Sequence, residues 1–129
     1  TDGDVLGALY VSNPKYNVDI FLGTGGGPEG VLAATALDAF DCHFQGRFIF
    51  DNDKDINEAK EMGIIDLDKK YELNEIIKGD SIFCATGITS SEVLNGIKII
   101  DNNYKSETLV THKSSDFKKI IKRTNFIIE

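Results

Sequence analysis

Five of the eight residues from Gly23 to Gly30 are glycine. This run, Gly23-Thr24-Gly25-Gly26-Gly27-Pro28-Glu29-Gly30, restricts the fold more than any other stretch. A short apolar segment, Val18 to Leu22, precedes it and reads as a buried strand. A helical stretch follows, Pro28 to Phe40, apolar nearly all round with Asp38 its only charge after Glu29. Strand, glycine loop and helix together make an anion site. The first N–H groups of a helix lack internal partners, and the helix dipole adds partial positive charge there. Glycine lets the backbone adopt positive φ and lets a phosphate approach closely. Pro28 suits the first helical position, where its missing N–H costs nothing. Glu29 suits the dipole but repels a bare phosphate. The pattern therefore points to a phosphate bridged by a cation, with Glu29 as a ligand of that cation.

The chain has 129 residues, the size of one domain, and residues 1–129 are read as a single one. Its formal charge is −7. No Lys/Arg block lies in the first hundred residues, so nucleic acid is not an expected partner. The longest apolar run is too short to span a bilayer, and no membrane association is expected. Cys42 and Cys84 fit no metal-ligand spacing and no disulfide framework, which suits a reducing cytoplasm. His43 and His112 stand apart from any Cys/His cluster. The chain opens on Thr1-Asp2-Gly3-Asp4 and passes directly into a patterned segment, as part of a longer or processed polypeptide does.

Helices are expected over Val5–Val11, capped by Asp2 or Asp4 and stopped at Asn13-Pro14, over Lys54–Met62 behind an Asp51-Asn52-Asp53 cap, and over Leu73–Ile77. A further short helix is expected behind Thr89-Ser90-Ser91-Glu92. Strands are expected over His43–Phe50, Asp80–Gly87, Ile97–Ile100, Glu107–His112 and Phe117–Ile121. The last two form a hairpin through Lys113–Asp116, Asp101-Asn102-Asn103 forms a turn, and Phe126–Ile128 is an edge strand or a fraying end. Strands alternating with helices predict an α/β layer arrangement with a largely parallel sheet and antiparallel edges.

Three other features compete with the glycine loop as sites. Gly25 to Gly30 also matches G-x-G-x-x-G, and Asp51 stands after the next strand, where a dinucleotide fold places its ribose-binding acid. Pro28 and Glu29 put a ring and a negative charge where the pyrophosphate belongs. Asp2-Gly3-Asp4 can accept hydrogen bonds from sugar hydroxyls, although plain capping explains it as well. Cys84-Ala85-Thr86-Gly87-Ile88-Thr89 ends a strand with hydroxyls that either touch a ligand or serve a turn, and the turn is preferred. The basic residues Lys113, Lys118, Lys119, Lys122 and Arg123 read as a solvated strand face.

In chain order, Asp2-Gly3-Asp4-Val5, Gly23-x-Gly25-Gly26-x-Pro28-Glu29-Gly30-Val31-x-Ala33-Ala34, Gln45-Gly46-Arg47, Asn52-Asp53, Ala59-Lys60, Met62-Gly63 and Ala85-Thr86-Gly87-Ile88-Thr89 resemble the class II fructose-1,6-bisphosphatases. Some of these enzymes also hydrolyse sedoheptulose-1,7-bisphosphate. The resemblance covers nearly the whole chain but only the C-terminal part of such an enzyme. It implies the layered α/β/α fold of the lithium-sensitive, metal-dependent sugar phosphatases, Mg2+ or Mn2+ as cofactor, a cytoplasmic gluconeogenic hydrolase and a homo-oligomer when complete. Glu29 would match the metal-ligating glutamate, Gly26 a substrate-contacting glycine, and Asp2, Gly3 and Asp4 the substrate-binding Asp-Gly-Asp. The remaining metal-binding carboxylates, a substrate-binding tyrosine and a basic substrate-binding stretch lie upstream in the family. No catalytic residue is assigned within this chain, and activity of the chain alone is not expected. Departures come late. Ser91 stands where an acid or glycine is usual, Asp101-Asn102-Asn103 replaces a glycine-rich turn, and His112 stands near an arginine.

Overall fold

A computed structural model of the chain describes residues 4–126. Asp2 and Gly3, expected to help bind a sugar, and the edge strand expected to end at Ile128 reach outside that range. The described chain runs α1 (Asp4–Ala8), two short 3-10 turns (Leu9–Ser12 and Pro14–Tyr16), α2 (Gly27–Asp38), β1 (Gln45–Arg47), α3 (Asp53–Glu61), β2 (Lys70–Glu72), α4 (Leu73–Ile76), β3 (Ile82–Thr86), β4 (Lys98–Ile100), β5 (Asn103–His112) and β6 (Phe117–Phe126). Helix and strand are mixed, as the α/β reading anticipates.

The largely parallel sheet does not form. Every strand pairing among the described residues is antiparallel: β1 with β2, and β5 with each of β3, β4 and β6. The physical reason lies in the connections. Asp101 and Asn102 both take positive φ, 46° and 59°, the conformation of a tight hairpin turn whose twist matches the flanking strands. They fold β4 onto β5 with Ile100 opposite Asn103. Lys113–Asp116 then turns β5 into β6 with His112 opposite Phe117. Turns this short can join only antiparallel neighbours. The hairpin is longer than the sequence pattern indicates, because each arm continues past its apolar alternation to ten residues.

Two other expected elements are absent. Val18–Leu22 is not a strand; residues 20–26 have no regular structure, and Ile20 and Leu22 are 71% and 83% exposed. No neighbouring strand among the described residues reaches this segment. The expected strand over His43–Phe50 shortens to β1, which pairs with β2, a strand the sequence pattern does not indicate. No helix follows Thr89-Ser90-Ser91-Glu92. Ser91 Oγ does accept from the N–H groups of Val93 and Leu94 in cap fashion. The chain then folds back, with Ser91 N–H donating to Leu94 O and Ile97 N–H to Ile88 O.

The core joins α1 and α2 to one face of the sheet. Ala8, Leu9, Ala33, Ala36, Leu37, Phe83, Leu94 and Leu109 are its buried members. The other face of β3, with Ile82, Cys84 and Thr86, is exposed. From Ala33 onward no residue of α2 is exposed, which fits a helix covered on several sides, whereas Val31 and Leu32 in its first turns stand open.

Thr111 sits on the covered face between Phe83 and Lys118 in the ladder. It is 1% exposed, and its hydroxyl has no hydrogen-bond partner among the described residues. A buried, unsatisfied hydroxyl costs on the order of 1–3 kcal/mol. Thr111→Val keeps the shape and removes that cost. We predict a gain of about 1 kcal/mol in urea unfolding, with a higher midpoint and an unchanged slope.

Candidate functional site

The glycine loop and α2 form as a unit. Gly26 is the N-cap residue with extended backbone, φ −69° and ψ 154°. Gly27, Pro28 and Glu29 follow as the first three helical residues, so Pro28 stands one position later than the sequence reading puts it. It remains in the first turn, where no N–H is required. The first intrahelical bond runs from Gly30 N–H to Gly26 O at 3.1 Å. The N–H groups of Gly27 and Glu29 are therefore left without helical acceptors.

Gly26 and Glu29 are in direct contact. A Cβ added at Gly26 would run into the Glu29 carboxylate, which folds back over the cap. Glycine at this position is thus what lets the carboxylate lie across the helix entrance. Glu29 is exposed and has no ion-pair or hydrogen-bond partner among the described residues. Phe21 fixes the approach to the loop. Its ring lies 3.2 Å from the position a Cβ would take at Gly7 and 3.1 Å from that at Gly23. The ring thereby ties the loop to α1, the helix that Asp4 opens and that packs on α2. Asp2 and Gly3 lie outside the described residues, as does the Asp4 side chain.

Among the described residues no group of three or more His, Cys, Asp or Glu side chains gathers to hold a metal ion. Hard divalent ions take several oxygen ligands, typically six or more. The loop offers one carboxylate, which fits a single ligand of a larger set and does not make a centre by itself. No loop residue lines the cleft bordered by Leu9, Tyr16, Phe40 and Lys118 or the one bordered by Cys42, Leu73 and Lys113.

The Cys84–Thr89 stretch is structural. Thr86 Oγ1 bonds Thr108 Oγ1 at 2.8 Å across the ladder. The following loop is tied down by Glu107, whose carboxylate accepts from Asn95 N–H at 2.9 Å and pairs with Lys122 at 3.0 Å. The Asn95 N–H and the Lys122 ammonium hold the Glu107 carboxyl down at about 2, against an ordinary 4.5. Gly87 and Gly96 allow the loop to close this tightly, since a Cβ at either would press on the backbone across the loop. Three of the five basic residues, Lys113, Lys118 and Lys122, have carboxylate partners. Lys113 reaches Asp38 at 2.8 Å and Lys118 reaches Asp116 at 2.7 Å, in keeping with a solvated face.

One cluster escapes sequence reasoning. His112 Nε2 lies 2.8 Å from Asp80 and its Nδ1 lies 2.7 Å from Ser115, while Ser114 donates to the other Asp80 oxygen at 2.5 Å. Ser114 first and His112 second hold the Asp80 carboxyl below the usual range. The cluster clasps the β5–β6 turn to the start of β3. Asp80 and His112 are 32 residues apart, so no local spacing signals the pair.

Comparison with known proteins bears on the whole described chain. The family described as bacterial fructose-1,6-bisphosphatase, glpX-encoded, matches residues 1–125. A D-fructose 1,6-bisphosphatase class 2/sedoheptulose 1,7-bisphosphatase of Synechococcus sp. (strain JA-2-3B'a(2-13)) is 35% identical over 128 residues, which cover 89% of this chain and 37% of that protein. A protein of the same description from Acaryochloris marina, the second of two there, is 37% identical with the same coverage. One from Trichormus variabilis is 33% identical over 134 residues, covering 94% of this chain and 39% of its own. The chain spans less than two fifths of the length of these relatives.

The Glu107 tether sets a pH dependence. Its folded pKa is depressed, so its stabilisation is complete above about pH 4.5 and is lost as pH falls toward 2. Glu107→Gln is expected to lower the melting temperature at pH 7 and to flatten the decline between pH 4.5 and 2, read by circular dichroism melts across that range.

Proposed function

This chain belongs to the family of bacterial fructose-1,6-bisphosphatases, and from that premise we propose that it is the C-terminal, glycine-loop part of a metal-dependent sugar bisphosphatase. The observation that carries this reading is the unpartnered Glu29 carboxylate lying over Gly26 at the entrance of α2. An anion site with a carboxylate across it makes chemical sense when a cation joins the two. The reaction is hydrolysis of a phosphate monoester. The complete protein cleaves fructose-1,6-bisphosphate to fructose 6-phosphate and phosphate, a gluconeogenic step, and the relatives, named as fructose 1,6-/sedoheptulose 1,7-bisphosphatases, support that substrate class.

Each residue has a role in this reading. Glu29 holds the cation as one of several ligands. The free N–H groups of Gly27 and Glu29 donate to the phosphoryl oxygens as charge develops on them. Gly26 keeps the cap open for both the carboxylate and the substrate. Asp2, Gly3 and Asp4 orient the sugar hydroxyls. Mg2+ or Mn2+, when bound, polarises the phosphoryl group and makes the attacking water more acidic. The remaining ligands come from the rest of the polypeptide, together with the layer that completes an α/β/α sandwich. Residues 1–129 act as one domain of it. The free thiols of Cys42 and Cys84 suit a reducing cytoplasm. The dinucleotide reading loses its basis, because a βαβ unit needs the Val18–Leu22 segment paired in parallel with the next strand, and β1 instead pairs antiparallel with β2.

The purified 129-residue chain is expected to release no phosphate from fructose-1,6-bisphosphate with Mg2+ or Mn2+. In a family-length chimera carrying residues 1–129 in place of the matched part of the Synechococcus relative, Glu29→Gln is expected to lower kcat by about 100-fold or more. Steady hydrolysis by the chain alone, abolished by Glu29→Gln, would overturn the assignment. So would a chimera whose turnover is indifferent to Glu29.

A further inference from the structure

The segment ahead of the glycine loop is incomplete in two ways. It carries apolar residues on both of its sides, and neither side is fully covered, Phe21 itself being 38% exposed. The Phe21 ring lies between Gly7 and Gly23, while Ile20 and Leu22, on either side of it in sequence, are 71% and 83% exposed. Its backbone is also unpaired: no N–H or C=O of residues 18–25 enters a backbone hydrogen bond among the described residues. The open apolar surface continues past the loop. Val31 and Leu32 are exposed, and the exposed Phe48 ring lies 4.0 Å from the position a Cβ would take at Gly27. Uncovered apolar side chains beside unpaired backbone are the two features by which a segment accepts a further strand.

A second copy of this chain is a poor occupant, since each copy carries a net charge of −7 and like charges oppose association. A small ligand has no use for a row of backbone donors and acceptors. Most of the length of each relative lies outside the match. We infer that Val18–Leu22 is a sheet strand completed by the remaining part of the family polypeptide. An extended segment of that part hydrogen-bonds along residues 18–22, and its apolar side chains cover Ile20, Leu22, Val31 and Leu32. The inference rests on the phosphatase reading and deepens it. Closure over this surface brings the outside carboxylates to Glu29, so assembly of the strand pair and assembly of the metal centre are one event.

The test is complementation. The 129-residue chain, tagged, is co-expressed with the unmatched remainder of the Synechococcus relative. Co-purification at one to one is expected. Ile20→Asp with Leu22→Asp should reduce recovery of the partner at least tenfold, with the variant alone melting at the parent temperature because both side chains are exposed. Ile65→Asp, an equally exposed isoleucine elsewhere, should leave recovery unchanged. Independently of any variant, amide exchange at residues 18–22 should slow at least tenfold in the complex. Absence of a complex, a complex indifferent to the paired substitution, or unslowed exchange would each overturn the inference. A complex that meets all three criteria yet releases no phosphate with Mg2+ or Mn2+ would sink the phosphatase reading and leave the strand pairing intact.

Discussion

The rest of the structure depends on how closely α2 can approach the sheet. Ala33, Ala34, Ala36 and Ala39 are all buried, with Leu37 the one large side chain among them. Small side chains let the helix backbone settle near β3, where Phe83 and Leu109 fill the gap. Interiors pack at crystal-like density, so a helix seated this way has little freedom to shift or turn. Its entrance is then fixed as well, and with it the direction of the Gly27 and Glu29 N–H groups. α1 adds a second hold through the Phe21 ring. The loop is irregular, but what surrounds it is not.

Much of this was legible in the sequence where the signal is local. The α2 helix, the Asn52 cap of α3 with its bond from Asp55 N–H at 3.0 Å, the positive-φ Gly63 that closes that helix, and both hairpin turns follow from residues close together in the chain. Features set by partners far along the chain were not legible. Val18–Leu22 has the composition of a buried strand, yet a strand needs a neighbour, and none of the described strands supplies one. The helix expected after Ser91 has a proper cap, but Glu107 captures Asn95 and bends the chain back before a turn can propagate. The parallel sheet was inferred from the alternation of elements, a rule about whole folds applied to a chain that matches part of one. At the proposed site, Gly26 and Glu29 lie together because the cap and the third helical residue are neighbours by construction. The Asp80–His112 clasp was missed because it joins distant strands.

The glycine loop is best understood as a prepared surface. Its donors are oriented, its carboxylate is free and its glycines are cleared of side chains. The chemistry this implies requires ligands that a single carboxylate cannot replace.

Strand β6 and the Val18–Leu22 segment both present unpaired backbone, but they are not equivalent. β6 pairs only with β5 among the described strands, and it carries Lys118, Lys119, Lys122 and Arg123 along its length. Cations on an outer strand discourage unwanted pairing, because a second such strand would be repelled. Val18–Leu22 has only Asp19 for defence. Charge therefore discriminates between the edges: the long, regular strand that would most readily template aggregation is guarded, and the short irregular one is left receptive. The lysines of this solvated face therefore act as traffic control, turning an incoming strand away from β6.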